Sequence, residues 1–262
     1  MFFKKFHIVG VLCGCLMLLT LSPDVSAQQP APTPSPTPQK RLPTPSLWQR
    51  LSRILGLTAT PSTQKGPGDD DATGEVWVVD LSRNSRLKLT QGDSYHSPIF
   101  AEGDKNILAF QGNEIVQIPV SGGETRKLVT VKGVSKLIGV DRDNQRQVLV
   151  LSEEQNRISL KLLSLTTGKM TAVPFDERSR DDRRIIVHLR GWERVYGDSK
   201  VYVEKETKNT SIGSTEWTDV YFKRGDSEPV NVSRCDGINC GQPSLSQNKR
   251  FIVYIKIKPV KM

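Results

Sequence analysis

The chain has 262 residues, 36% hydrophobic and 6% aromatic, which suffices for one packed core with extensions. Its 37 Lys and Arg against 28 Asp and Glu give a net charge of +9, a balance that favours acidic surfaces. The two signs are interspersed and no Lys/Arg run carries interleaved aromatics, so the pattern reads as a soluble protein of high pI and excludes nucleic acid as the expected partner.

Residues 1–27 read as an export signal. Lys4 and Lys5 precede an apolar run of sixteen residues, and the small side chains of Val25 and Ala27 set cleavage before Gln28. An uncleaved anchor is the alternative, because the run is only slightly shorter than the roughly 20 residues that span a bilayer. Lipidation at Cys15, within Leu12-Cys13-Gly14-Cys15, is a weaker variant, since more apolar residues follow it where a lipoprotein has a polar tether. Cleavage removes Lys4, Lys5 and Asp24, lowers the net charge to +8, and leaves Cys235 and Cys240 as the mature cysteines. An exported chain oxidises such a pair, and Asp236-Gly237 between them can turn the chain enough to bring the sulfurs together. The spacing differs from C-x-x-C, so the expected bridge is structural and holds a local shape.

Residues 28–72 form a Pro/Thr-rich tether that favours extended polyproline II and cannot bury a core. Within it, residues 46–57 predict a short amphipathic helix: Leu47, Trp48, Leu51, Ile54 and Leu55 recur at helical spacing, Arg50 and Arg53 lie opposite, Ser46 can cap it and Gly56 can end it. Twelve residues make a marginal helix in water, so it needs a surface. Two destinations fit equally: a partner protein or membrane surface, or the chain's own folded domain.

Residues 73–262 change to short β-rich runs separated by turn signals, with no convincing long amphipathic helix, and the class is all-β. Residues 74–92 supply two strands, and three groups of four follow. The third group is expected to begin with a strand in Arg184–Trp192 and to continue at residues 200–206, 217–225 and 229–233. A period of roughly 40 to 50 residues is that of propeller blades. Residues 243–258 add two inner strands, which the two outer strands of residues 74–92 complete into one blade. The expected architecture is a small β-propeller of four blades with one shared between the termini, closing the ring and removing its sheet edges. A partial or open propeller, or two chains completing one ring, is the alternative.

Residues Val76–Phe110 and Pro243–Tyr254 resemble TolB-like, WD-repeat-like propellers. The layout is an apolar strand ending in Asp-Leu, a Leu-Thr step, then Pro, a turn, Lys and an apolar strand ending in an aromatic. The family's Ser-Pro-Asp-Gly turn is replaced by Ala101–Asp104 and by Ser246–Asn248. The resemblance implies a binding platform in the periplasm or outside the cell. Relatives joined to prolyl-oligopeptidase-like domains raise the alternative of a remnant peptidase propeller.

The residues that such chemistry needs are missing from the pattern. No G-x-S-x-G elbow is present, and His96 and His188 fall in different blades without a zinc-ligand spacing. No acidic cluster, whether Asp69–Asp71, Asp141–Asn144 or the Arg180–Arg183 stretch, has a calcium-loop spacing; the last is expected as an exposed connection. The expectation is therefore a non-enzyme with no metal or cofactor, periplasmic or secreted, that binds an envelope protein or cell-wall polymer. A glycan-binding or glycan-processing propeller is the alternative, with Trp77, Trp192 and Trp217 as stacking candidates. Asn209-Thr210-Ser211 and Asn231-Val232-Ser233 are glycosylation sequons that matter only where the host modifies exported proteins.

Overall fold

The computed structural model describes residues 45–55, 72–154, 157–191 and 193–257. The expected export signal, most of the tether, the Asp69–Asp71 run and Trp192 lie outside the described residues.

Among the described residues, sixteen strands form four antiparallel sheets of four strands. The first complete blade is β3 (Tyr95–Phe100), β4 (Asn106–Gln111), β5 (Glu114–Pro119) and β6 (Arg126–Thr130), and the second is β7 (Lys136–Val140), β8 (Gln147–Glu154), β9 (Arg157–Ser164) and β10 (Met170–Val173). The third is β11 (Arg194–Tyr196), β12 (Ser199–Thr210), β13 (Gly213–Arg224) and β14 (Val230–Asn231). The fourth runs β15 (Cys240–Leu245), β16 (Phe251–Lys256), β1 (Glu75–Asp80), β2 (Ser85–Lys88), two strands from each end of the domain. The four-blade expectation and the shared blade are both what the strand order shows.

The shared blade closes the ring because its central strands are apolar on both faces. Strands β1 and β16 pair from Glu75↔Lys256 to Asp80↔Phe251. Val76, Val78, Val253 and Ile255 pack toward the first blade, while Val79, Ile252 and Tyr254 pack toward the third. A buried side chain of this size contributes about 1.5–3 kcal/mol, so opening this seam would expose most of two cores.

Hydrogen bonds stitch the innermost strands together. Ser97 and Gln242, each before a proline and each with φ near 54°, occupy bulges in β3 and β15. The Ser97 amide donates to Gln242 Oε1 at 2.6 Å, and the Leu137 amide donates to Ser97 Oγ at 2.8 Å. Bulges aim polar groups across the axis that a regular strand would spend on its ladder. At the turns, both Asp104 carboxylate oxygens accept from the Gln247 and Asn248 amides at 2.9 Å, tying the first blade to the shared one.

The third blade departs from expectation. Residues Arg180–Arg190 are a helix, α2, and not the exposed connection and first strand read from the pattern; the innermost strand is β11. Ser179 caps it by accepting from the Asp182 amide, Asp181 and Asp182 lie in its first turn, and His188 and Arg190 in its last. Asp182, Ile185, Ile186 and Leu189 are buried at helical spacing. The run Ile185-Ile186-Val187 fits a strand equally well, and the cap at Ser179 decides against it. Residues 200–206 and 217–225 also prove to be the bases of one long hairpin, β12–β13, paired from Ser199↔Arg224 to Thr210↔Gly213.

The segment expected to be helical at 46–57 forms α1 (Leu47–Leu55). Ser46 Oγ accepts from the Gln49 amide at 3.2 Å, and Gln49 Oε1 accepts from the Ser46 amide at 2.9 Å, a reciprocal capping box. Of its two expected destinations, the helix takes its own domain. Leu47 and Leu51 are buried with Ile138, Leu149, Leu151 and Leu160 of the second blade and with Ile185 and Leu189 of α2. Together α1 and α2 cover the face of the second blade opposite the one that meets the first.

Candidate binding surfaces

At the axis the helices leave little room. The cavity bounded by Ile99, Ile138, Tyr196 and Leu245 of the inner strands and by Trp48 and Leu55 of α1 measures about 60 Å3, space for a few waters at most. A Cβ on Gly139 would lie 2.8 Å from a Leu55 methyl, so the glycine is what lets α1 approach β7. Two buried cations hold the C-terminal end of α2 there. Lys136, 3% exposed, donates to the carbonyls of Arg190 and Gly191 at 2.7 Å, and Arg194 donates to those of Gly191 and Glu193 at 2.9 and 3.0 Å. Unsatisfied carbonyls at a helix C-terminus favour positive charge, so these side chains are committed to structure. Burial pushes the Tyr196 phenol above its usual pKa.

The expected partner-binding residues are thereby divided. Leu47 and Leu51 are buried, and Trp48, Ile54 and Leu55 are half-buried against the second blade and α2, so the apolar side of the helix is not available to another molecule. Arg53 remains exposed and Arg50 half-exposed.

A groove of about 570 Å3 lies between the shared and first blades. Its floor is Val78, Leu87, Val120 and Phe251, and Leu87 is 44% exposed. Asp80 and Arg250 sit on one wall. The Arg250 guanidinium donates to both carboxylate oxygens, at 2.7 and 3.3 Å, and Ser82 donates from its amide and hydroxyl at 2.9 and 2.6 Å. The Arg250 bond is the main reason the Asp80 carboxyl is held well below the usual carboxylate range. Across from it, Lys105 has no ion pair among the described residues, and Arg83 reaches Asp80 only at 3.9 Å with its side chain 75% exposed. The groove thus offers an apolar floor with one unpaired cation, Lys105, and a second, Arg83, that is exposed and only distantly paired with Asp80. Sequence reasoning missed it, because its walls come from segments distant in the chain that only ring closure brings together.

Other expected residues have structural partners. Cys235 and Cys240 are bonded to each other between β14 and β15, both buried. Trp77 donates to Glu75 at 3.3 Å and carries Lys256 5.6 Å from its ring, while Trp217 donates to Asp219 at 2.8 Å. His96 stacks on Phe110 at 4.8 Å and His188 is buried in α2. No cluster of three metal-ligating side chains occurs among the described residues. Asp141 and Asn144 cap their own turn between β7 and β8.

No family model and no curated protein matches the chain. Solved structures similar to it include a TolB candidate from Agrobacterium tumefaciens, at 14% identity and TM-score 0.35 over 71% of this chain and 62% of that one. TolB from Acinetobacter baumannii aligns at 13% identity and TM-score 0.31 over 77% and 48%, and the tricorn protease at 15% and 0.31 over 73% and 19%. The chain spans less than two thirds of the length of each. TolB and tricorn are β-propeller proteins, and the four-bladed architecture here stands on its own strand order.

Proposed function

We propose that this chain is an exported, non-catalytic β-propeller that binds an envelope protein, and that the groove between its shared and first blades is where it does so. The observation that carries the reading is the groove itself: apolar Leu87 and Phe251 flanked by Lys105, which has no ion pair among the described residues, and by Arg83, whose exposed side chain meets Asp80 only at 3.9 Å. Such a site fits an extended partner segment that places an apolar side chain on the floor and a carboxylate between the two cations. The rigid ring presents the groove without needing to rearrange, which limits the entropy lost on binding. The expected bacterial location, periplasmic or secreted, agrees with a bridge between Cys235 and Cys240, which an oxidising compartment maintains.

The test is capture from an envelope extract by the wild-type protein beside Arg83→Glu/Lys105→Glu. The double variant is expected to lose the bound protein while keeping its thermal stability, since both side chains lie at the surface. Retention of the same protein by both forms would remove the groove from the reading, and capture of nothing by wild type would remove the binding role.

A further inference from the structure

The β12–β13 hairpin is longer than the blade it belongs to. Only its base is buried, at Ser199, Val201, Val203, Asp219 and Val220, and from Lys205 to Glu216 almost every residue is exposed. At its tip Ile212 is 97% exposed. An isolated two-stranded ribbon is marginal in water, and an apolar side chain at its end adds nothing to its stability. On its flank, Tyr202 and Tyr221 stack with centroids 6.1 Å apart and are only half-buried.

Both edges of the ribbon are tied down only at its foot, and beyond it each is open among the described residues. Beside β13, the Asn239 side chain accepts from the Thr218 amide at 3.0 Å and the Cys240 carbonyl accepts from the Thr218 hydroxyl at 2.9 Å. Beside β12, strand β11 pairs only with Ser199–Val201. Tyr196 and Ser199 close a two-residue turn, which makes them a hydrogen-bonded pair and points the amides of Ser199 and Val201 toward β11. By alternation, the amides of Val203, Lys205, Thr207 and Asn209 face the same edge, where no strand of the described residues lies.

We propose that this edge pairs with the same edge of a second copy of the chain, antiparallel and centred on Thr207, joining two ribbons into a four-stranded sheet. Charge selects both the occupant and the register. Outward-facing residues must face one another, so the two-fold can fall on or between them only in certain ways. Centred on Lys205, that lysine faces its own copy and Glu204 faces Glu206. Centred on Glu206, that glutamate faces its own copy. Centred on Thr207, Glu206 faces Lys208 of the second copy twice over, Lys205 faces Asn209, and Glu204 faces Thr210; no like charges meet. Lys208 has no ion pair among the described residues, and this register gives it one. In the same register the turn Ser211-Ile212 of one copy comes to the level of Tyr202 and Val203 of the other. The exposed ribbon and its self-complementary strand edge are thus accounted for by one contact, which lies on elements separate from the Arg83/Lys105 groove.

Sedimentation velocity on the protein produced from the full chain, at about 100 µM, detects any dimer tighter than about 1 mM. Wild type is expected to dimerise. Thr207→Pro removes an edge amide without touching the β12–β13 ladder and is expected to leave monomer, as is either Glu206→Lys or Lys208→Glu alone, each weakening association at least about tenfold. Mixing those two charge variants places Lys opposite Glu at both positions and is expected to restore a dimer, which shows that both variants are folded. Monomeric wild type, a dimer indifferent to all three substitutions, or no dimer on mixing would each overturn the proposal.

Discussion

Leu51→Ala tests whether α1 is part of the folded ring. Leu51 is fully buried, 0% exposed, between the second blade and α2. Truncating a buried leucine to alanine costs about 2–5 kcal/mol, the transfer of the lost methyls plus the cavity they leave. The site lies between two helices and a sheet and can partly collapse, so the lower half of that range, about 3 kcal/mol, is expected. For a domain of this size about 1 kcal/mol moves Tm by about 2–4 °C, so the variant should melt about 6–12 °C lower. Urea unfolding gives the free energy, and the fluorescence of Trp48, on the same helix and half-buried with it, reports whether docking is lost together with the ring. Arg53→Ala, on the exposed side, should stay within about 0.5 kcal/mol. A loss below about 0.5 kcal/mol for Leu51→Ala with an unchanged urea slope would mean that α1 is not held by the ring, and would return its apolar side to the list of surfaces open to a partner.

Replacing Cys235 and Cys240 by Ser opens a loop of only a few residues, so the loss should be modest, about 2 kcal/mol by loop entropy, and wild type under a reducing agent should match it in thermal scans. Asp80→Asn should destabilise the protein at neutral pH, because Arg250 and Ser82 then face an uncharged acceptor. The folded carboxyl binds its proton less tightly than the unfolded one, so its contribution is complete above the unfolded pKa near 3.8 and fades as pH falls below it. The stability gap between Asp80→Asn and wild type should therefore be constant above about pH 5 and narrow toward pH 3; a gap that widens on acidification would contradict the assignment.

The helix pair gives this ring its particular form. Three blade junctions are sheet against sheet, with apolar side chains from neighbouring blades in one cluster. In the fourth cluster the second blade meets α1 and α2 instead. A ring of so few blades bends sharply from one to the next, and two helices fill space that a flat blade face would leave empty. The axis is thereby occupied, while the groove between the shared and first blades and the projecting ribbon stay exposed.

Much of this architecture is legible from local chemistry. Alternating and continuous apolar runs, Gly and Asp turns and two half-blades at the ends of the domain are enough to give four blades with a shared one, because strand pattern, turn residues and edge closure are each decided within a few residues. The capping box at Ser46 and Gln49 and the Asp236-Gly237 turn between the cysteines are likewise local. What the sequence by itself leaves open is every choice between surfaces of equal chemistry. Ile185-Ile186-Val187 suits a strand or a helix, and the Ser179 cap together with the apolar face of the second blade makes it a helix. The apolar side of α1 suits a partner or its own ring, and only the close approach that Gly139 permits settles it. The groove of Arg83 and Lys105 has no counterpart in any local pattern, because residues at opposite ends of the domain reach it only when β1 and β16 pair; periodicity sets the elements, and packing between distant elements decides what they bury and what they leave exposed.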